Sequence, residues 1–296
     1  MVVDEHVALA KLERVRAQLR AMGRVVVAYS GGADSAFLLH AAVDALGCER
    51  VLAVTARSAS LPQAEADAAA RVAAQLGARH RFLETREFDD ERYLVNTTQR
   101  CFFCKASLFE PLEELARAEG YAHLVYGAVA DDPLALRPGH RAATAFHVAS
   151  PLADAGIIKD DVRWLSRRAG LPTWDKPQAA CLSSRIPFGE RVTPGKLRMV
   201  EAAEAWFHAQ GFRQVRVRHH GLLARVEVEP ADLPRLLGDA ALQRQAAEAV
   251  RHCGFADVEI DPDGYRPGKL HANHGAGSMV PLGDAGIREP VPHEAV

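Results

Sequence analysis

Arg24-Val25-Val26-Val27-Ala28-Tyr29-Ser30-Gly31-Gly32-Ala33-Asp34-Ser35 passes from an apolar run, through paired glycines, into a helical pattern that continues at Phe37, Leu38, Leu39 and Val43. The apolar run reads as a buried strand. Glycine tolerates positive φ and lets backbone N–H groups approach an anion closely, and the positive end of the following helix adds to the attraction. Ser30 and Ser35 can donate hydroxyl hydrogen bonds, while Asp34 can hold Mg²⁺ against phosphate oxygens. A tight strand–helix turn with serine and aspartate caps is the plain alternative. This residue set between a strand and a helix points instead to a phosphate-binding loop. It is neither Gly-x-x-x-x-Gly-Lys-Ser/Thr nor Gly-x-Gly-x-x-Gly.

Outward from that loop, short apolar runs alternate with helical patterns. Val51–Thr55, Arg81–Leu83 and Leu124–Tyr126 read as further strands, and the alanine-rich stretch Leu61–Leu76 reads as a helix stopped by Gly77. Such alternation predicts βαβ units, hence an α/β fold with a parallel sheet covered on both faces. The pattern changes after Pro172. A helix over Lys196–Gln210, strands over Arg213–Arg218 and Ala224–Glu229 joined across His220-Gly221, helical segments over Leu233–Arg251 and a strand over Asp257–Ile260 predict a smaller α+β domain. The expected organisation is therefore a nucleotide domain over 1–172, a second domain over 173–266 and a flexible tail over 267–296 rich in Gly, Pro, His and Asn.

Bulk properties narrow the function. The 296 residues are enough for two domains. A net charge of −2 with His neutral argues against the broad basic surface of a nucleic-acid binder. No apolar run reaches the ~20 residues that span a bilayer, so no membrane role is expected. Met1 to Arg20 mixes acids and bases without a secretory core, and an odd cysteine count of five suits a reducing compartment, so a cytoplasmic location is expected.

Two cysteine segments stand out. Cys181 lies in Lys176-Pro177-Gln178-Ala179-Ala180-Cys181-Leu182-Ser183-Ser184-Arg185-Ile186-Pro187, a loop whose Lys176 and Arg185 could stabilise a thiolate. Cys101-Phe102-Phe103-Cys104-Lys105 is the second; if it opens a helix, the helix N-terminus should lower both thiol pKa values. Packed, inert thiols are the alternative at each place. The pair alone supplies too few ligands for a zinc site or a cluster, and Cys181 could add a third. Farther on, period-two alternation puts Arg216, Arg218, Arg225, Glu227 and Glu229 on one hairpin face and valines on the other. That face is either solvated with cross-strand ion pairs or a phosphate clamp with a metal-binding carboxylate.

The Ser30–Ser35 loop resembles the Ser-Gly-Gly-x-Asp-Ser signature of the ATP-pyrophosphatase (PP-loop) superfamily, whose members cleave ATP between the α and β phosphates. With the Cys101–Lys105 and Cys181–Pro187 segments, Val215–Arg218, Arg225-Val226-Glu227 and Asp263-Gly264-Tyr265-Arg266, the resemblance narrows to the LarE family and covers about Val25 to Arg266. LarE proteins are pyridinium-3,5-biscarboxylate mononucleotide sulfurtransferases of nickel-pincer cofactor biosynthesis, which serves lactate racemase. The resemblance implies an ATP- and Mg²⁺-dependent enzyme with Ser30, Gly31, Gly32, Asp34, Ser35 and Lys159 on the nucleotide. It further implies Asp34 and Glu227 at the metal, and Arg185, Arg216 and Arg218 on the substrate. Sulfur is expected either from Cys181, which is left as dehydroalanine, or from a [4Fe-4S] cluster on Cys101, Cys104 and Cys181; having all three cysteines puts this sequence nearer the second form. A homo-hexamer is implied as well. The rival readings are a tRNA thiolase, an amide-forming synthetase and a non-catalytic nucleotide- or cluster-binding regulator.

Overall fold

A computed structural model describes residues 3–132, 138–178, 180–266 and 280–281. The chain divides into two compact units, one ending at Leu197 and the other starting at Arg198. The expected 267–296 tail lies outside the described residues, apart from the strand Val280–Pro281.

The first unit runs α1 (Glu5–Met22), β1 (Val25–Ala28), α2 (Ala33–Leu46), β2 (Val51–Arg57), α3 (Gln63–Gln75), β3 (Arg79–Glu84), α4 (Glu91–Leu94), α5 (Arg100–Ala118), β4 (His123–Tyr126), α6 (Pro138–Ala145), α7 (Pro151–Asp154) and α8 (Lys159–Arg168). Parallel neighbours need crossover connections, and these helices provide them. The strands pair in the order β3-β2-β1-β4, all parallel. Alternation along β1 and β2 then sorts the core. Val25, Val27, Val51 and Ala53 pack with residues of α1, α2, α3 and α8, whereas Val26, Ala28, Leu52 and Val54 pack with residues of α5 and α6. Apolar runs buried on both faces are what a covered parallel sheet requires.

The strand order carries the functional consequence. From β1 the chain adds β2 and β3 on one side, then returns to place β4 on the other. Ligands of open α/β sheets bind beyond the carboxyl ends of the strands where that reversal occurs, here between β1 and β4.

In the second unit, α9 (Pro194–Ala209) is followed by β5 (Val215–His220), β6 (Leu223–Val228), α10 (Leu233–Gly238), α11 (Ala240–His252), β7 (Asp257–Ile260) and β8 (Val280–Pro281). Its mixed sheet has the order β5-β6-β7-β8, with β6 and β7 parallel and the other pairs antiparallel. The helical segments expected over 233–251 are two, divided at Asp239, whose carboxylate accepts from the backbone N–H groups of Ala241 and Leu242 and caps α11. Among the described residues, no helix is long and apolar enough to cross a membrane.

Candidate active site

The glycine loop occupies the β1 side of the switch point. Gly31 has φ +73°, and a Cβ there would lie 2.7 Å from that of Ala69 in α3, so both conformation and space demand glycine. Gly32 is the N-cap of α2 without a side-chain cap among the described residues. The Ser30 and Ser35 hydroxyls lie 3.1 Å apart, and Ser35 Oγ also donates to the Gly32 carbonyl at 3.1 Å. These bonds hold the turn in shape and leave the first amides of α2 for an anion.

On the β4 side, Gly127 runs against the start of α2: a Cβ on it would lie 2.8 Å from the Ser35 backbone nitrogen. The chain continues to Asp131 and Asp132. The Asp131 carboxylate accepts from the Lys159 backbone N–H at 3.1 and 3.2 Å, seating the start of α8. The Lys159 ammonium pairs with Asp34 and lies 3.9 Å from Asp132. Burial raises the Asp34 pKa; Lys159 opposes the rise, and Asp132 and Asp131 add to it. Two carboxylates converging beside one cation suit Mg²⁺, which takes few protein ligands and completes its shell with water and phosphate oxygens. On this observation the donor set fits Mg-ATP.

Thr173 to Val192 belong to the first unit, and Lys176 ties that segment to the phosphate loop. Its ammonium donates to the Gly31 carbonyl at 3.0 Å and to Glu65 at 2.6 Å. Five residues later comes Cys181. The Arg185 guanidinium is 3% exposed and donates to the carbonyls of Ala180 and Cys181 at 2.6 and 3.0 Å. One nitrogen of Arg185 thus shapes the cysteine loop itself.

The same loop is fastened to the segment before α5. Tyr93 and Ser183 hydroxyls lie 2.6 Å apart, and buried Arg100 donates to the Ser183 carbonyl at 2.8 Å and to the Asn96 side chain. Asn96 Nδ2 in turn donates to the carbonyls of Ile186, Pro187 and Glu190. Cys101 and Cys104 stand in the opening turns of α5, as expected, where desolvation raises the pKa of both and Cys181, within electrostatic range, adds to the rise. The lowered pKa values expected for the pair are overturned. Cys101 is exposed and Cys104 half-buried, yet the surrounding protein disfavours their thiolates more than the helix terminus favours them. Among the described residues, no three Cys, His, Asp or Glu side chains converge closely enough to hold a metal ion. The three thiols share a neighbourhood without forming a ready cluster site.

In the second unit, the cross-strand ion pairing expected of the plainer hairpin reading is present, but its solvation is overturned. Arg216, Arg218 and Glu227 are 5%, 7% and 3% exposed. Arg218 donates to Glu227 Oε2 from Nε at 3.0 Å and from a terminal nitrogen at 2.8 Å. Glu227 would therefore have to loosen Arg218 to serve a metal. Arg216 lies opposite Glu227 in the register and stacks 5.1 Å from the Tyr265 ring. Gly264 makes that approach feasible, since a Cβ there would sit 2.7 Å from the Val228 carbonyl.

Comparison with known proteins agrees with this layout. The NAD synthase family model matches residues 8–98, which span α1 to the segment before α5. A protein of Synechocystis sp. is 39% identical over 262 residues, covering 88% of this chain and 97% of that protein. The pyridinium-3,5-bisthiocarboxylic acid mononucleotide synthase of Lactiplantibacillus plantarum is 32% identical over 255 residues, covering 86% of this chain and 91% of the synthase. The chain belongs to that synthase's family, LarE. It is accordingly an ATP-dependent enzyme of the PP-loop type. Within this LarE chain, sequence reasoning missed Gly127, Asp131 and Asp132, and gave Lys176 to the thiol rather than to the phosphate loop. Their signal was position: a glycine and an acid pair directly after β4, at the carboxyl edge of the sheet.

Proposed function

We propose that this chain adenylylates a carboxylate of pyridinium-3,5-biscarboxylate mononucleotide with ATP and transfers sulfur to it from Cys181, in biosynthesis of a nickel-pincer cofactor. The observation that carries the proposal is the Lys176 link: the segment bearing Cys181 is hydrogen-bonded to the glycine loop of the nucleotide site. An activated acid formed at that loop then lies on the side of the unit that holds a sulfur nucleophile.

A carboxylate resists attack because it is anionic and resonance-stabilised. Adenylylation removes the charge and installs AMP as leaving group. The Ser30–Ser35 turn and the amides of α2 receive the phosphates, and Lys159 offers positive charge beside them. Asp34 and Asp132 would hold Mg²⁺, which neutralises charge developing on the departing pyrophosphate. Cys181, positioned by Arg185 and Arg100, attacks the acyl carbon and displaces AMP; loss of the Cα proton then breaks the Cβ–Sγ bond, so the sulfur leaves with the acyl group as a thiocarboxylate and residue 181 remains as dehydroalanine. Arg216 and Arg218 are assigned to the substrate phosphate, for which a guanidinium fork is suited. A [4Fe-4S] cluster on Cys101, Cys104 and Cys181 does not fit the thiols as placed among the described residues.

Pyrophosphate release reports adenylylation, and AMP release reports sulfur attack. Cys181→Ala should retain the first with the pyridinium dicarboxylate substrate and lose the second. Mass spectrometry after one turnover should find Cys181 lighter by about 34 Da, the mass of H₂S. Absence of substrate-dependent pyrophosphate from the unmodified protein would refute the proposal.

A further inference from the structure

Glu87 follows β3 in the short turn Glu87–Asp89 and is 2% exposed. Its Oε1 accepts from Ser58 Oγ at 2.5 Å and from Ser60 Oγ at 3.2 Å, and the two hydroxyls lie 2.9 Å from each other. Its Oε2 is buried with no hydrogen-bond partner among the described residues. Buried polar atoms are almost always satisfied. A carboxylate with one oxygen pinned by hydroxyls and the other left open is a fixed acceptor awaiting a donor.

The position of this acceptor ties it to the sulfur loop. The Ser60 carbonyl accepts from the Leu182 backbone N–H at 2.9 Å, so the peptide that follows Cys181 is anchored to the serine that holds Glu87. Glu87 acts electrostatically on Tyr93 of α4 and Cys104 of α5, and Cys181 acts on both as well. Carboxylate and thiols thus share one electrostatic neighbourhood. The other polar side chains around the loop already have bonds: Arg100 to Asn96 and Ser183, Asn96 to three loop carbonyls, Arg185 to Ala180 and Cys181.

We propose that Glu87 is the proton acceptor for sulfur attack from the Cys181 loop, a role that rests on the sulfur-transfer reading above. The new bond joins Cys181 Sγ to the acyl carbon. The bond from that carbon to the adenylate oxygen breaks, and AMP leaves with the electron pair. The thiol proton passes to Glu87 Oε2. Nothing is oxidised or reduced.

The test uses the full chain with ATP and pyridinium-3,5-biscarboxylate mononucleotide in single turnover, at about pH 6 to 9, comparing Glu87→Gln and Glu87→Asp with the unmodified protein. Glu87→Gln should leave pyrophosphate release within about threefold while AMP and thiocarboxylate formation fall about 100-fold. The residual transfer should rise about tenfold per pH unit as hydroxide replaces the lost acceptor. Glu87→Asp should recover part of the transfer. AMP release unchanged in Glu87→Gln, or pyrophosphate and AMP falling together, would overturn the proposal. If the unmodified protein itself forms no pyrophosphate, the sulfur-transfer reading fails first and this role falls with it.

Discussion

Gly127 shows how much of the nucleotide site depends on one absent methyl group. A Cβ there would meet Asp34 C, Ser35 N and Ser35 Cα at 2.8–2.9 Å, all of them backbone. Backbone cannot swing aside, so Gly127→Ala should displace the first turn of α2. Overpacking of this kind costs about 1–3 kcal/mol; urea unfolding should register that loss, and pyrophosphate release should drop at least tenfold. Asp34 makes a second residue-scale case, one of pH. Burial raises its pKa above the ordinary carboxylate value, so the native state binds the proton more tightly than the unfolded chain. Ionised Asp34 therefore costs stability above its folded pKa, and the cost disappears as pH falls through that value. Relative to the unmodified protein, Asp34→Asn should gain melting temperature as pH rises above the ordinary carboxylate range, while losing pyrophosphate release. A difference in melting temperature that stays flat with pH would contradict the burial account.

At the scale of elements, the sulfur site is a fastening of two distant segments. Asn96 adopts φ 60°, is fully buried, and donates to the carbonyls of Ile186, Pro187 and Glu190 while accepting from Arg100. Asn96→Ala would leave those carbonyls without their donor and put a less tolerant residue in the left-handed region. A loss of at least about 2 kcal/mol in urea unfolding is expected, with sulfur transfer falling more than adenylylation. None of this fastening could be seen in the sequence, because it joins residues some 90 positions apart. The phosphate loop and the strands of the first unit were legible for the opposite reason: their signals are local, a glycine pair between an apolar run and a helical period. Asp131 and Asp132 carry no local signal of their own; only the strand order puts the end of β4 beside the glycine loop. The arginine hairpin was half legible. Alternation revealed which residues share a face, but burial of both faces depends on what packs over them.

Across the whole molecule, the second unit carries buried charges whose folding and functional roles can be separated. Arg218 and Glu227 form a two-point ion pair at 9% and 4% side-chain exposure. Removing one partner of a buried pair strands the other charge and costs about 3–5 kcal/mol, whereas replacing both by apolar side chains of similar size is often neutral or stabilising. Arg218→Met should therefore unfold the second unit at lower urea, read from Trp206 in α9, and Arg218→Met/Glu227→Leu should recover most of the loss. Stability and activity then part company. If Arg218 holds the substrate phosphate, the refolded double variant should still bind the pyridinium mononucleotide poorly, with KM raised about tenfold or more and little change in the ATP requirement. Recovery of both folding and KM would make the pair purely structural and would leave Arg216, stacked on Tyr265, as the remaining phosphate ligand assigned to the hairpin.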